Sequence, residues 1–258
     1  MKREPLSEVP KEFNAVEWQA RVDLAAAHRL AFMHNMHEGI FNHLTLIVPG
    51  TNDRYYQIPF GMHWSEVTAS CFMEVSYDGQ VMRGEGEVEQ SCLCIHAPIH
   101  RQLPDHATAV FHTHMPHASA LSRLEDPRIK PIGQTEVMLS KTIAYDMDYT
   151  GPAMDPSEGE RLAGLVGNKK ILFMANHGIA TFGSCVSEAF EMLYYIERAA
   201  QVQLYAMWTG QKLLEMKPEV EQETRNFDGQ NFKHGKPHLY HFEALKRMLD
   251  RKEPDYKD

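Results

Sequence analysis

The chain has 258 residues, 43% hydrophobic and 24% charged, a composition that suits one globular domain with a sizeable core. Its formal net charge of -9, without a Lys/Arg-rich block, argues against a nucleic-acid partner. No apolar run is long enough to span a membrane, and the N-terminal stretch MKREPLSEVPKEF lacks the apolar core of a secretory signal, so we expect a cytoplasmic protein with no membrane partner.

The four cysteines have no spacing typical of a disulfide framework, which fits a reducing compartment. Cys92 and Cys94 form a C-x-C pair that could bind a soft metal. A single pair without a second one is weak evidence for such a site, so we interpret both residues as buried thiols.

The first third of the chain predicts one helix followed by hairpins. A helix is expected from Asn14 to about Met36, because Asn14 and Glu17 have the spacing of a capping box and apolar residues recur every three or four positions. The stretch GIFNHLTLIVPGTNDRYYQIPFG predicts two strands around a PGTND turn. A second turn, SYDGQ, joins the strands FMEV and VMRGE.

Helices and strands alternate in the rest of the chain. CLCIHAPIHRQL predicts a short helix, ATAVFHTH and KKILFMANHG predict strands, and VSEAFEMLYYIERAAQVQLYAMWTG predicts a long amphipathic helix closed by Gly210. This alternation favours an α/β domain over residues 1–216, with a mixed or mostly antiparallel sheet covered by helices. Residues 217–258 are polar with isolated aromatics, which predicts a loosely packed C-terminal extension.

Two histidines, His112 and His114, stand at the end of the strand ATAVFHTH. Residues two apart on a strand point to one face, so both imidazoles lie on the same side and Thr113 points to the other. His177, in ANHG, ends another apolar strand and could supply a third ligand. Three neutral imidazoles with an open position are typical of catalytic zinc, although an isolated H-x-H is more often a surface or core pair.

Several stretches of the chain together resemble the class II aldolase/adducin family: FNHLTLIVPG, YYQIPFGMHWSEVTAS, LPDHATAVFHTHMPHASALS, KPIGQTEVMLSKTIAYDMDYTG and ILFMANHGIATFGSCVSEAFEMLYYIERAAQVQ. The resemblance covers residues 15 to 210, roughly, in the family's order. It implies a three-layer α/β/α fold with a central, mostly antiparallel sheet. It also implies a fourfold-symmetric homotetramer with its sites near subunit interfaces, and a small-molecule substrate.

The resemblance implies that a divalent cation binds His112, His114 and His177. Zinc is favoured by three imidazoles, while manganese, cobalt or iron could occupy the same ligands. The family's characterised enzymes cleave carbon–carbon bonds through an enolate or enediolate, and some relatives decarboxylate or dehydrate. A metal on the substrate's carbonyl and hydroxyl oxygens lowers the cost of the developing negative charge.

The chain departs from the family's sugar-phosphate aldolases at the residues that carry their chemistry. Those enzymes use a glutamate upstream of the H-x-H, directly after a serine pair that binds phosphate. Alignment on the IH of CLCIHAPIH places Cys92 at the glutamate, with Gln90 and Ser91 at the serine pair. A threonine of a second phosphate contact is replaced by Phe60. We therefore predict that this is not a simple sugar-phosphate aldolase.

Five other residues are candidates for the site. His43 is a catalytic candidate as a proton donor, and Glu89 is one if its loop enters the site; otherwise Glu89 is a solvated loop carboxylate. Asn42 is a candidate substrate contact or a strand cap. Gln134, in KPIGQ, corresponds to a stretch that approaches the neighbouring site in relatives. His117 is a candidate substrate contact, or a residue that supports the ligands or starts a helix.

The leading hypothesis is a metal-dependent lyase that cleaves a C–C bond of a small hydroxy-carbonyl or hydroxy-acid substrate. The sequence favours retro-aldol cleavage and decarboxylation equally, and dehydration or isomerisation less. The alternative is a non-catalytic scaffold like the head region of adducins, although such proteins have lost the metal ligands that this chain retains. A metal-dependent sensor that binds a small acid without turning it over is a third possibility.

Overall fold

A single eight-stranded sheet organises the computed structural model, which describes residues 9–226 and 236–258. The strand order is β4-β3-β2-β1-β5-β8-β7-β6. Every neighbouring pair is antiparallel except β6 and β7, which are parallel. The strands are β1 His43–Ile47, β2 Arg54–Gln57, β3 Met73–Ser76, β4 Val81–Arg83, β5 Ala109–Thr113, β6 Ile143–Asp146, β7 Ile171–Met174 and β8 Ile179–Gly183.

Eight α-helices and two short 3-10 helices lie in the described ranges. The α-helices are α1 Ala15–Met33, α2 Gln90–Gln102, α3 Pro116–Leu121, α4 Gln134–Ser140, α5 Pro156–Val166, α6 Val186–Trp208, α7 Pro218–Asn226 and α8 Pro237–Lys252. The 3-10 helices span Trp64–Glu66 and Pro254–Lys257. Within the described ranges, no helix combines the length and apolarity that crossing a bilayer requires.

Helices cover both faces of the sheet because its strands are apolar on both sides. On β5, Ala109 and Phe111 join a large core with α1, α6 and α8, while Val110 joins a smaller core with α2 and α5. Alternation along a strand sends these residues to opposite faces. The predicted α/β fold with a mostly antiparallel sheet is therefore confirmed.

Most local predictions hold, although α1 ends at Met33, before the predicted end near Met36. Asn14 caps α1, and its side chain accepts hydrogen bonds from the backbone of Val16 and Glu17 while Glu17 completes the capping box. Both predicted hairpins form, as β1–β2 and β3–β4. The long helix α6 ends at Trp208, and Gly210 follows with a positive φ of 70°, a conformation that glycine adopts without a steric penalty.

The expectation of a loosely packed C-terminal extension is wrong for its last part. Phe242 and Leu249 of α8 are buried in the large core, as is Tyr256, whose hydroxyl donates to Asp250. Phe242 and Leu249 are two helical turns apart on one face of α8, which is how a mostly polar segment still packs. Residues 227–235 of the predicted extension lie outside the described residues, and the boundary at residue 216 stays a prediction.

Candidate metal centre

The site is built where β5 and β7 end at the same edge of the sheet. His112 belongs to β5, His114 follows its last residue, and His177 lies in the tight turn from β7 to β8. In this turn Asn176 has a positive φ of 56°, which asparagine tolerates better than most residues. A Cβ on Gly178 would lie 2.6 Å from the ring Cδ2 of His114 and 2.6 Å from the carbonyl oxygen of Thr113. Glycine is needed here because the turn passes so close to His114.

The three predicted ligands come together. The ring centroids lie 4.9 Å apart for His112 and His114, 4.8 Å for His112 and His177, and 4.9 Å for His114 and His177. One ligand atom from each residue lies within 4.8 Å of the others. The Nε2 atoms of His112 and His114 are 3.1 Å apart. This separation is close to the roughly 3.3 Å between two nitrogens on one tetrahedral zinc ion.

Hydrogen bonds to the other ring nitrogens determine which atoms face the centre. The Nδ1 of His112 lies 3.0 Å from the carbonyl oxygen of Ile179, which can only accept, so Nδ1 carries the proton. The Nδ1 of His114 donates to the carboxylate of Glu38 in the same way. In the neutral rings both Nε2 atoms are then bare lone pairs that face each other. A cation between them is the partner that such an arrangement fits.

Two of the three imidazoles, those of His112 and His177, are held in the neutral form that binds metal. Burial lowers the pKa of His112 well below its usual value, and the neighbouring imidazoles of His177 and His114 lower it further. Burial likewise lowers the pKa of His177 to about 4, with a further contribution from His114. At neutral pH these two rings therefore offer lone pairs rather than positive charge.

A cavity of about 350 Å³ opens onto the three histidines. Its polar lining includes His43, Ser91, Arg123 and Tyr149, and the Tyr149 ring lies 6.0 Å from that of His177. The exposed guanidinium of Arg123 supplies a positive group beside the triad. A small anionic molecule could therefore enter with its charged end on Arg123 and an oxygen at the triad.

His43 and Glu89 form a pair beside this cavity. His43 is paired with His112 across the β1–β5 ladder, and its Nε2 lies 2.9 Å from a carboxylate oxygen of Glu89. Glu89 caps α2 and accepts from the backbone of Cys92 at 2.5 Å and from the hydroxyl of Ser91 at 2.8 Å. It is thus anchored against His43 rather than solvated in a loop.

The Glu89 carboxyl is ionised under all ordinary conditions. Burial raises its pKa, but the hydrogen bond and charge of His43, with the bonds from Cys92 and Ser91, outweigh burial and bring the pKa to about 2. Glu89 does not itself line the cavity and reaches it through His43 and Ser91. The catalytic assignments of both residues stay predictions.

Asn42 supports the triad from the strand next to it. Its Oδ1 accepts from the backbone N–H of His114 at 3.1 Å, which holds this ligand's main chain in place. Its Nδ2 is buried and has no hydrogen-bond partner among the described residues. Asn42 borders a small neighbouring pocket with His43 and Glu89 rather than the main cavity, so its contact with substrate stays a prediction.

Two predicted substrate contacts lie away from the cavity. The Nδ1 of His117 is 2.6 Å from a carboxylate oxygen of Glu197 on α6, which turns the ring away from the triad. Gln134 is the first residue of α4 and is exposed. Neither residue is among those that line the cavity in this single chain. A contact of Gln134 with a neighbouring subunit stays a prediction.

Sequence reasoning missed several residues of the cavity, among them Glu38, Arg123 and Tyr149. None of these three has a periodic or motif signal, because each lies outside the helices and strands in a connecting segment. Cys92, which takes the aligned position of the aldolase glutamate, is fully buried and does not line the cavity. Cys94 is also buried, as the sequence predicted for both cysteines.

The sequence and the fold of this chain are similar to those of known proteins. The family described as "Class II Aldolase and Adducin N-terminal domain" matches residues 22–204. This match spans most of the chain, and the chain belongs to the class II aldolase/adducin family. The resemblance drawn from the sequence is thereby confirmed.

Relatives in the family have several kinds of name. A Pseudomonas aeruginosa protein named after aldolase class 2 is 31% identical over 97% of this chain and 96% of its own length. Rat alpha-adducin is 32% identical over 71% of this chain but only 25% of its own length. The solved structure of an aldolase II superfamily protein from Pseudomonas syringae has a TM-score of 0.89 at 32% identity and covers 98% of this chain and 100% of its own.

A more distant structure, L-fuculose 1-phosphate aldolase from Glaciozyma antarctica, has a TM-score of 0.80 and covers 97% of this chain and 96% of its own. At 21% identity this similarity shows the fold alone. The comparisons therefore support an aldolase-like lyase at the level of the family. They do not distinguish a reaction, because the family also includes adducins.

Proposed function

We propose that this protein is a divalent-metal-dependent lyase that cleaves a C–C bond of a small hydroxy-carbonyl or hydroxy-acid substrate. The observation that carries the proposal is the 3.1 Å approach of the Nε2 atoms of His112 and His114, whose Nδ1 atoms both face acceptors, with His177 completing a triad that lines an open cavity. Three histidines with room for a further ligand suit a catalytic ion, with zinc favoured and manganese, cobalt or iron possible.

A cation held by the triad would supply Lewis-acid stabilisation of the negative charge that develops on the substrate's carbonyl oxygen as the C–C bond breaks. The chain's own residues supply the rest. Arg123 lines the cavity and is assigned to a carboxylate of the substrate, since a guanidinium binds carboxylates through two parallel hydrogen bonds. A hydroxy acid held this way presents its other oxygens to the triad.

Proton transfer is assigned to His43 and Glu89. His43 lines the cavity, and its Nε2 lies within hydrogen-bond distance of the Glu89 carboxylate. In retro-aldol cleavage such a couple takes the hydroxyl proton, and in both reactions it returns a proton to the carbon left negative by cleavage. Decarboxylation needs only the second step, so the structure is compatible with either reaction.

A homotetramer with sites near subunit interfaces is proposed with this function. Two large side chains that line the cavity are exposed: Phe41 is 59% exposed and Tyr149 is 49% exposed. A subunit interface would cover such a surface. Light scattering of the purified protein tests this, and a monomer at micromolar concentration would contradict it. The cytoplasmic location stays a prediction.

The test of the metal site is elemental mass spectrometry of the purified protein beside His112→Ala and His177→Ala. The metal content of each variant should be lower than that of the unmodified protein by one divalent ion per chain, because three ligands are the minimum for tight binding here. His117→Gln is the matched control. It changes a histidine only three residues after His114 that faces α6 instead, and should keep the full metal content.

Activity is then screened with small hydroxy and keto acids, following carbon dioxide and aldehyde release separately. A cleavage rate that depends on metal and falls by at least ~10³-fold in His112→Ala would support the lyase proposal. Absence of bound metal even after reconstitution would overturn it. In that case the adducin-like scaffold becomes the better account, which the similarity to adducins independently favours.

A further inference from the structure

A second set of metal-type donors lies on the other side of His43. His43 of β1 and the α2 residues Cys92 and His96 each offer one ligand atom, and these atoms lie within 4.8 Å of one another. All three residues are buried, with His96 and Cys92 at 0% exposure and His43 at 5%. Cys92 and His96 are four residues apart on α2, so they point to the same side of the helix. We call these three residues the closed cluster.

A chain of hydrogen bonds determines the tautomer of His96. The Nδ1 of His100 lies 2.7 Å from the carbonyl oxygen of Ala107, so it must donate, and its Nε2 is left as an acceptor. The hydroxyl of Thr45 lies 2.8 Å from this Nε2 and 3.3 Å from the carbonyl oxygen of Val110, and we assign its proton to the shorter contact, with Nε2. The oxygen of Thr45 then accepts from the Nδ1 of His96 at 2.7 Å. The Nε2 of His96 is left as a bare, buried lone pair.

His43 has the same kind of orientation. Its Nε2 faces the Glu89 carboxylate at 2.9 Å, while its Nδ1 is buried. Within the described part of the chain, neither this Nδ1 nor the Nε2 of His96 has a hydrogen-bond partner. A metal-bound histidine usually donates its other ring N–H to a carboxylate or another acceptor. His43 and His96 both show this pattern, as His112 and His114 do.

Leaving two ring nitrogens unpaired in the interior is costly, because each buried polar group loses its bonds to water. The third member, Cys92, is a neutral thiol in the absence of a cation, since burial raises its pKa well above the usual value. A soft or borderline cation would satisfy both nitrogens and displace the thiol proton. The ion, a thiolate and the nearby Glu89 carboxylate would together have no net charge.

We propose that the closed cluster is a second metal site, in which His43 Nδ1, His96 Nε2 and Cys92 Sγ bind a zinc-type divalent cation. One ligand atom of each residue already lies within 4.8 Å of the others, and zinc bonds of about 2.0–2.3 Å place neighbouring donors roughly 3.3–3.6 Å apart, so modest side-chain movements bring the three donors onto one ion. The Nε2 contact of His43 with Glu89 is retained. The site goes beyond the proposed function: it uses no ligand of the triad, and with the proposed proton transfer it shares the His43–Glu89 couple, in which Nε2 stays with the carboxylate while Nδ1 binds the cation.

Cobalt substitution tests this site directly. A thiolate bound to cobalt(II) gives an intense charge-transfer band in the near ultraviolet, whereas the triad contains no thiolate. The metal-free full chain is titrated with cobalt(II), and bound ions are counted after gel filtration. We expect two ions per chain and the band in the unmodified protein. Cys92→Ser and His96→Gln should each lose one ion and the band.

Two controls make the result specific. Cys94→Ser removes the neighbouring buried thiol, whose sulfur interacts with Gln90 instead, and should keep both ions and the band. His112→Ala should lose one ion and keep the band, so failure of the triad and failure of the closed cluster are distinguishable. If the unmodified protein binds only one cobalt ion per chain and shows no thiolate band, the proposal is overturned. This outcome does not depend on whether any variant folds. A band that persists in Cys92→Ser would also overturn it.

Discussion

The triad and the closed cluster lie on the same face of the sheet and use similar residues, yet they differ in access. In both, hydrogen bonds to one ring nitrogen turn the other toward a shared centre. The triad borders a cavity of about 350 Å³, whereas Cys92 and His96 of the closed cluster are fully buried and do not line it; the third member, His43, lies between the two sites. Structural metal sites are typically closed and catalytic sites keep an open position. Access, more than the type of ligand, thus separates a candidate catalytic centre from one that could only hold an ion.

Glu89 contacts His43, which lines the cavity beside the triad and belongs to the closed cluster, and the loss of Glu89 should have the largest effect among the following changes. Glu89→Gln keeps the shape of the side chain but removes the charge opposite His43. We expect the lyase activity to fall roughly 10²- to 10⁴-fold, as for loss of a general acid or base. The metal of the triad should be retained. Steady-state kinetics with the substrate from the screen, beside a metal count, would check this; unchanged turnover would remove the pair from the mechanism.

Acid should destabilise the metal-free protein through histidines that are buried in the neutral form. Burial lowers the pKa of His28 and of His100 to about 4, from a usual value near 6.5. Between pH 6.5 and pH 4 the unfolded chain binds more protons than the folded one, so stability is full above pH 6.5 and falls with pH. From pH 7 to pH 5 the two groups together should cost about 3 to 4 kcal/mol.

Urea unfolding of the metal-free protein at pH 7, 6 and 5 measures this loss. His28→Gln removes one of the two groups and belongs to neither metal cluster, so its stability should depend less steeply on pH. The metal-loaded protein gains further stability from the bound ions at every pH that permits binding. A free energy of unfolding that does not change over this range would contradict the neutral burial of these rings.

Gly178 affects the triad alone. In Gly178→Ala the new Cβ would meet the His114 ring and the Thr113 carbonyl at 2.6 Å, so the turn must shift. We expect a loss of about 1 to 3 kcal/mol in unfolding free energy, as for overpacked sites, together with weaker metal binding. Gly164→Ala is the control, since nothing lies within 4 Å of its added Cβ on α5. That variant should be stabilised by about 0.5 to 1 kcal/mol, because alanine favours helix over glycine.

Glu38 should give the mildest change of the four and separates the two clusters. Glu38→Gln replaces the carboxylate that accepts from His114 Nδ1 with an amide, which weakens the orientation of this ligand. Loss of such a supporting carboxylate typically lowers metal affinity by about 10- to 100-fold. Competition with a chelator measures the affinity. The thiolate–cobalt band should be unchanged, and a parallel loss of that band would mean that the two clusters are not independent.

Local sequence signals predicted helix ends well where a single short-range interaction determines the end. The capping box of Asn14 and Glu17 and the Gly210 terminator act within a single turn, so they can be read without knowledge of the fold. The same holds for the H-x-H pair, since the pleat alone places His112 and His114 on one face. The packing of α8 was missed because its few apolar residues become informative only once the core they contact is known.

The sequence by itself determined the family, the mostly antiparallel α/β fold and the three histidines of the triad. These features depend on periodicity and on motifs that are local or retained in order. Only the tertiary structure decided which side chains from distant segments meet: Glu38 on His114, Glu89 on His43, and the Thr45–His96 bond that leaves a buried nitrogen free. Tautomer and burial depend on such partners, because the free energy of a proton or a lone pair is determined by the groups beside it.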